Sequence, residues 1–237
     1  MMRKAVCVVV IMAALMASAS QADLLVNGDF ETGDFTGWSV NTEPGTNGLM
    51  SIATPGTTTP VSGQPTVLGA GQGNWYAVTD QGGPGTYSLT QTFTVPGPVP
   101  QVILSFDLFV NNWHTTDIVD LSRLDAVSGG PLQYARVDIL ANGSGPFETG
   151  AGVLATYYAG SDGISGPYAP TPYSIDITGI VGGGGTFILR FAEADNQMIF
   201  NMGVDNAGIV TVPEPGTFAL LGLGAVGFAL YRRRKQA

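Results

Sequence analysis

The chain has 237 residues, 34 of them glycine and 15 proline, with 11% charged side chains and a net charge of −9. That much Gly and Pro argues against a helical bundle and suits short strands joined by turns. The acid excess argues against nucleic acid or an anionic membrane surface as partner, and a single cysteine, Cys7, rules out a disulfide framework.

At the N-terminus, Arg3 and Lys4 precede an unbroken apolar run from Ala5 to Ala17. Ser20-Gln21-Ala22 then places small residues at the two positions a signal peptidase reads. This pattern predicts a signal peptide over 1–22, cleaved after Ala22 by signal peptidase. The run is too short for a span, which takes roughly 20 apolar residues. Cys7 lies inside it, so a chain starting at Asp23 has no thiol for catalysis or metal binding.

The body, residues 23–211, holds three basic residues, Arg123, Arg136 and Arg190, against 17 of the 18 acidic ones, a net charge near −14. It opens on "LLVNGDFETGDFTGW" (24–38), where Asp29, Glu31 and Asp34 crowd beside Gly28 and Gly33. Period-two alternation follows in "SLTQTFTV" (88–95), "VILSFDLFV" (102–110), "ARVDIL" (135–140) and "TFILRF" (186–191). Strict alternation predicts half-buried strands. Gly/Pro clusters at 82–85, 95–100, 141–146 and 182–185 supply the turns. Residues 111–133 form the longest irregular piece, expected as a large surface excursion. No stretch has helical periodicity with caps. The expected fold is all-β, an antiparallel β-sandwich or closed barrel in one domain over 23–211.

The tail begins with Pro213-Glu214-Pro215. Thr217 to Tyr231 is apolar or small throughout, and Arg232, Arg233, Arg234 and Lys235 follow. At about 1.5 Å per residue the run covers roughly 22 Å, enough to span a thin hydrocarbon core with help from its flanks. The basic cluster should stop transfer on the cytoplasmic side and leave the body outside. A transmembrane helix in the inner membrane is therefore expected within 212–237.

Two resemblances follow from these motifs. Pro-Glu-Pro, apolar helix and terminal arginine cluster resemble the PEP-CTERM sorting signal of Gram-negative bacteria. That resemblance implies an exosortase-type processing enzyme as partner, a transient membrane anchor, and a cell-surface or extracellular destination in hosts that make extracellular polysaccharide. The opening "LLVNGDFETGDFTGW", with "MGVDNAGIV" (202–210) at the far end, resembles galactose-binding-like jelly rolls of the carbohydrate-binding module type. It implies a jelly-roll sandwich whose first and last strands adjoin. It also implies one structural calcium, held by Glu31 and Asp205 with Asp29 and backbone oxygens near Asn27–Asp29, since calcium takes six to eight oxygens.

Glycan recognition uses aromatic platforms, and Trp113 with His114, then Trp75 with Tyr76, are the candidates for extracellular polysaccharide. Tyr157, Tyr158, Tyr168 and Tyr173 stand behind them, and Trp38 is expected in the core. Enzymatic chemistry has little to work with. His114 is the sole histidine, so a Ser-His-Asp triad or a His-based zinc site lacks parts. No Gly-rich loop precedes a helix. The expected role is non-enzymatic, a structural or adhesive surface protein. A carbohydrate-binding module is the alternative, and a secreted glycoside hydrolase built on an acidic pair is a third reading.

Overall fold

The computed structural model describes residues 22–65, 73–114, 118–161, 169–212 and 224. Among the described residues ten strands form two antiparallel sheets of five. The first holds, in spatial order, β1 (Ser39–Thr42), β4 (Gly85–Val95), β9 (Gly185–Asp195), β6 (Gln133–Ala141) and β7 (Val153–Gly160). The second holds β2 (Gly48–Ala53), β3 (Tyr76–Gln81), β10 (Phe200–Val212), β5 (Gln101–Asn112) and β8 (Thr171–Asp176). Strands β3 to β10 cross between the sheets in jelly-roll order, and β1 and β2 extend the edges. A single turn of helix, α1 (Thr178–Val181), leads into β9. The all-β sandwich expected from the alternation is the observed fold.

The alternation explains the core. Val102, Leu104, Phe106, Leu108 and Val110 of β5 face Leu89 and Phe93 of β4, Val137 and Ile139 of β6, and Leu189 and Phe191 of β9. The Phe106 and Phe191 rings meet edge-on at 5.4 Å. Burying each such side chain contributes about 1.5–3 kcal/mol.

Two expectations are corrected. The opening stretch is not a regular strand. Asn27 and Phe30 both sit at φ 52, which breaks any extended run. The segment still lies along the last strand. Asp23 bridges Val210, the Leu24 N–H donates to Ile209 O at 2.8 Å, and the Ala207 N–H donates to Gly28 O at 2.9 Å. β3 pairs with β10 at Gly203 and Val204, and residues 23–28 flank β10 beyond that point. The turn at Phe30 sends its ring inward onto Trp38, 5.6 Å away. Trp38 is buried as expected, and its indole N–H donates to Asn27 O at 2.9 Å.

The second correction concerns 111–133. β5 continues to Asn112, and the chain then folds back over the outer face of the first sheet. Leu124, Ala126 and Leu132 are buried against Tyr134, Ala192 and Ala194. This cover removes water from three outward-facing side chains, Arg136, Asp138 and Arg190, each at most 1% exposed. Asp138 accepts from Arg136 Nε and Nη2, both at 2.8 Å, from Arg190 Nε at 3.0 Å and Nη2 at 2.6 Å, and from Thr156 Oγ1 at 2.7 Å. The surplus positive charge is met by the carbonyls of Leu121, Pro146 and Glu148. These strands are buried on both faces, where alternation alone predicted one.

The topology gives the sandwich two poles. Gly85 and Gln133 both pair with Asp195, and Phe200 pairs with Asn112. The ends of β3, β5 and β9 and the starts of β4, β6 and β10 therefore share one pole. From there β10 runs 13 residues to Val212, roughly 40 Å at about 3.3 Å per residue. The tail thus leaves from the opposite pole. The expected signal peptide up to Gln21, and the expected sorting segment and transmembrane helix from Pro213 on, lie outside the described residues, apart from Gly224. Among the described residues no helix is long and apolar enough to cross a membrane.

Candidate functional site

The opening segment and β10 bring the proposed calcium ligands into one region on the outer face of the second sheet. Asp205 is 2% exposed; its Oδ1 accepts the Asn206 N–H at 2.7 Å, and its Oδ2 has no hydrogen-bond partner. Asn206 takes φ 50 where the pairing of β10 with β5 shifts register, and its side-chain amide donates to Asp107 Oδ2 at 2.8 Å. Burial pushes the Asp205 carboxyl up to about 7; the Asn206 N–H opposes this, and the negative charges of Asp107, Glu31 and Asp29 add to it.

Glu31 is turned toward a neighbour. It accepts from Asn74 N at 2.6 Å, Asn74 Nδ2 at 2.9 Å and Trp75 N at 3.1 Å, and the Asn74 donors hold its carboxyl below the usual range. Asp29 Oδ1 accepts the Glu31 N–H at 3.4 Å. Asp34 is a turn residue, accepting from Thr36 N at 2.9 Å and Thr32 Oγ1 at 2.7 Å. Of the backbone oxygens, Asn27 O already accepts from Phe30 and Trp38, and Gly28 O from Ala207. Among the described residues no three His, Cys, Asp or Glu side chains converge as a ready metal-ligand set. An orphaned, buried carboxylate oxygen with acidic neighbours fits a hard cation in charge and donor type. Backbone oxygens and water would have to complete the shell.

The glycan candidates divide. Tyr76 is fully buried, its ring edge-on to Phe109 at 5.7 Å, so it offers no surface platform. Strand alternation turned it to the outer face of β3, where Gly203 leaves room for Phe109. Trp75 is half-buried against the core and lies over Gly33. Tyr157, Tyr158 and Tyr173 also pack partly against the core, and Tyr168 lies outside the described residues. Trp113 and His114, both half-buried, stand at the pole away from the tail. The Trp113 N–H donates to Ile199 O at 3.1 Å, and the His114 N–H to Asn112 Oδ1 at 2.7 Å.

Ile199 belongs to a pocket of about 250 Å³ at that pole, which is floored by Gln81 and Asp195 and rimmed by Gly82, Gly83, Pro84 and residues 196–198. Burial pushes the Asp195 carboxyl up to about 6, with Gln197, Gln81 and His114 opposing. Glu193 lies behind it, fully buried, and burial raises its carboxyl well above the usual range. The sequence carried a signal for this pair. Extending the inward run Phe187, Leu189, Phe191 by two steps reaches Glu193 and Asp195.

Among solved structures, the chain is similar to the apo form of a cyclase from Fischerella sp., with 16% identity over 83% of this chain and 98% of that one and a TM-score of 0.49. It is also similar to TmCBM61 in complex with beta-1,4-galactotriose, at 11% identity, covering 81% and 99%, TM-score 0.47. A family 11 carbohydrate-binding module from Clostridium thermocellum, in complex with a beta-1,3-1,4-mixed-linked tetrasaccharide, shares 14% identity over 83% and 99%, TM-score 0.40. No curated protein matches the chain. The tail is different: residues 211–235, which begin inside β10 and run through Pro213-Glu214-Pro215 to Lys235, are a PEP-CTERM protein-sorting motif.

Proposed function

We propose that this is an exported bacterial surface protein, handed by its tail to an exosortase-type processing enzyme, whose sandwich serves outside the inner membrane in a non-enzymatic structural or adhesive role. The observation that carries the reading is the sorting motif and its junction with the fold. Thr211 and Val212 belong both to β10 and to the motif, so no linker separates the sandwich from the processing segment. The last described strand, β10, ends at the pole opposite the pocket. Fractionation of the host tests this by comparing the natural chain with one in which Pro213, Glu214 and Pro215 are replaced. The replaced chain should stay in the inner-membrane fraction.

The orphaned Asp205 oxygen supports a structural calcium with Asp29 and Glu31 beside it, stapling the opening segment to β10. Calcium should raise the melting temperature and a chelator should lower it; no shift on chelation would remove the ion from the account.

The placement of Trp113 and His114 beside the distal pocket favours a second reading, a module that binds extracellular polysaccharide. A glycan array with the purified protein tests it, and loss of a signal on Trp113→Ala would locate the platform. A hydrolase finds less support, because Asp195 reaches the pocket while Glu193 lies behind it without exposure. Among the described residues this pocket therefore offers one accessible carboxylate, where glycoside hydrolysis uses two.

A further inference from the structure

At the distal pole the space between the sheets is polar. Thr79 and Gln81 of β3, Asn112 of β5, Gln133 of β6, and Glu193 and Asp195 of β9 fill it, and each is at most 2% exposed. Register places Gln133 directly opposite Asp195, with Glu193 two residues earlier on the same face. Gln81 reaches across from the other sheet and donates to Asp195 Oδ2 at 3.0 Å. Glu193 Oε2 is met by the Thr79 hydroxyl and by the Met202 N–H. Gln133 Nε2 donates to Asn112 Oδ1 at 3.0 Å.

What is left over is lopsided. Glu193 Oε1, Gln81 Oε1 and Gln133 Oε1 are buried acceptors with no partner, against one donor, Asn112 Nδ2. Each unmet buried polar group costs about 1–3 kcal/mol, and buried carboxylates are ordinarily paired. Among the described residues no such pair is within reach. Arg136 and Arg190 are spent on Asp138, and the Arg123 guanidinium is taken by Asp120 and by the carbonyls of Asp125 and Gly130. A layer with surplus acceptors, two desolvated carboxylates and no cation of its own asks for a small positive ion. The pocket, floored by Gln81 and Asp195, is the way in from solvent.

We infer that the distal pole holds a second cation site, independent of Asp205. In it, a hard divalent ion of the calcium class sits between the sheets on Glu193 Oε1 and the Asp195 carboxylate, with the amide oxygens of Gln81 and Gln133. Four protein oxygens leave two to four positions for water from the pocket, within the range calcium accepts. The ion would tie β3 of one sheet to β6 and β9 of the other at the rim of the pocket.

The test is calcium stoichiometry by titration calorimetry on the full chain in detergent, stripped first with a chelator. The Asp205→Asn variant isolates the distal site. It should bind one equivalent, and adding Glu193→Gln should abolish that binding. In the Asp205→Asn background, Glu193→Gln is also expected to melt at or above its parent when both are ion-free, because it replaces a carboxyl whose charged form burial disfavours, and to gain nothing from calcium. This opposite response separates an ion ligand from a merely structural glutamate. The inference is overturned if Asp205→Asn binds no calcium, or if its binding survives Glu193→Gln. If Asp205→Asn binds as many ions as the natural chain and only Glu193→Gln reduces the number, the distal site stands and the Asp205 site falls.

Discussion

Asp138→Asn should be among the most damaging single changes in the body. Asp138 is the one carboxylate that Arg136 and Arg190 share, and it receives four guanidinium hydrogen bonds and the Thr156 hydroxyl. Burial and the neighbouring Arg136 charge already act against the Arg190 guanidinium, and Asp138 is what opposes them. Removing its charge leaves two buried cations facing each other under the 118–132 cover. Breaking a buried pair typically costs about 3–5 kcal/mol, a large share of an ordinary domain stability of about 5–15 kcal/mol. For a domain of this size 1 kcal/mol shifts the melting temperature by about 2–4 °C, so the expected loss is roughly 6–20 °C. The control is Arg136→Met, which leaves a one-to-one Arg190–Asp138 pair and no orphaned charge, and should cost less. Thermal unfolding by circular dichroism at neutral pH measures both, and added salt should barely change the gap because the triad is buried. An Asp138→Asn variant within about 1 kcal/mol of the natural chain, or an Arg136→Met variant less stable than it, would refute the reasoning.

Further outcomes follow from the same geometry. Asp205 sits at about 7 in the fold against roughly 3.9 when unfolded, so the folded state holds the proton more tightly. In a chelator, stability should therefore fall as pH rises from about 4 through 7, by up to about 4 kcal/mol from this group. Asp195, at about 6, adds in the same sense. Calcium should reverse the fall, and Asp205→Asn should flatten its upper part; a stability that rises over this range in chelator contradicts the assignment. Gly28→Ala should destabilise by about 1–3 kcal/mol, because a Cβ there would lie 1.7 Å from the Ala207 carbonyl oxygen; a neutral result would mean that the opening segment does not press on β10 as described.

The sandwich was legible because alternation is a local signal. Leu89, Phe93, Val102 and Phe106 announce their face within a few residues. The opening stretch was legible in its partner and not in its form, since the positive φ of Phe30 depends on a core that the motif helps to build. The burial of Arg136 and Arg190 was hidden because it depends on residues 118–132 folding back, a contact no periodicity encodes. Glu193 and Asp195 lay in the pattern, yet placing two acids between sheets contradicts the ordinary rule that inward positions are apolar. The rule fails at the pole, where the connections from one sheet to the other close over a polar layer. Asp205 was singled out through its setting near the end of the chain, and the geometry adds that it is buried and half-unpaired.

The central claim is that the body is exported and then handled through the segment fused to β10. Intact-mass measurement of the protein from separated host fractions, natural chain against the Pro213-Glu214-Pro215 replacement, tests this directly. The account predicts that the natural chain loses residues 1–22, changes mass at its tail and leaves the inner membrane, while the replaced chain keeps its tail and stays there. Identical masses and identical fractions for the two chains would contradict it.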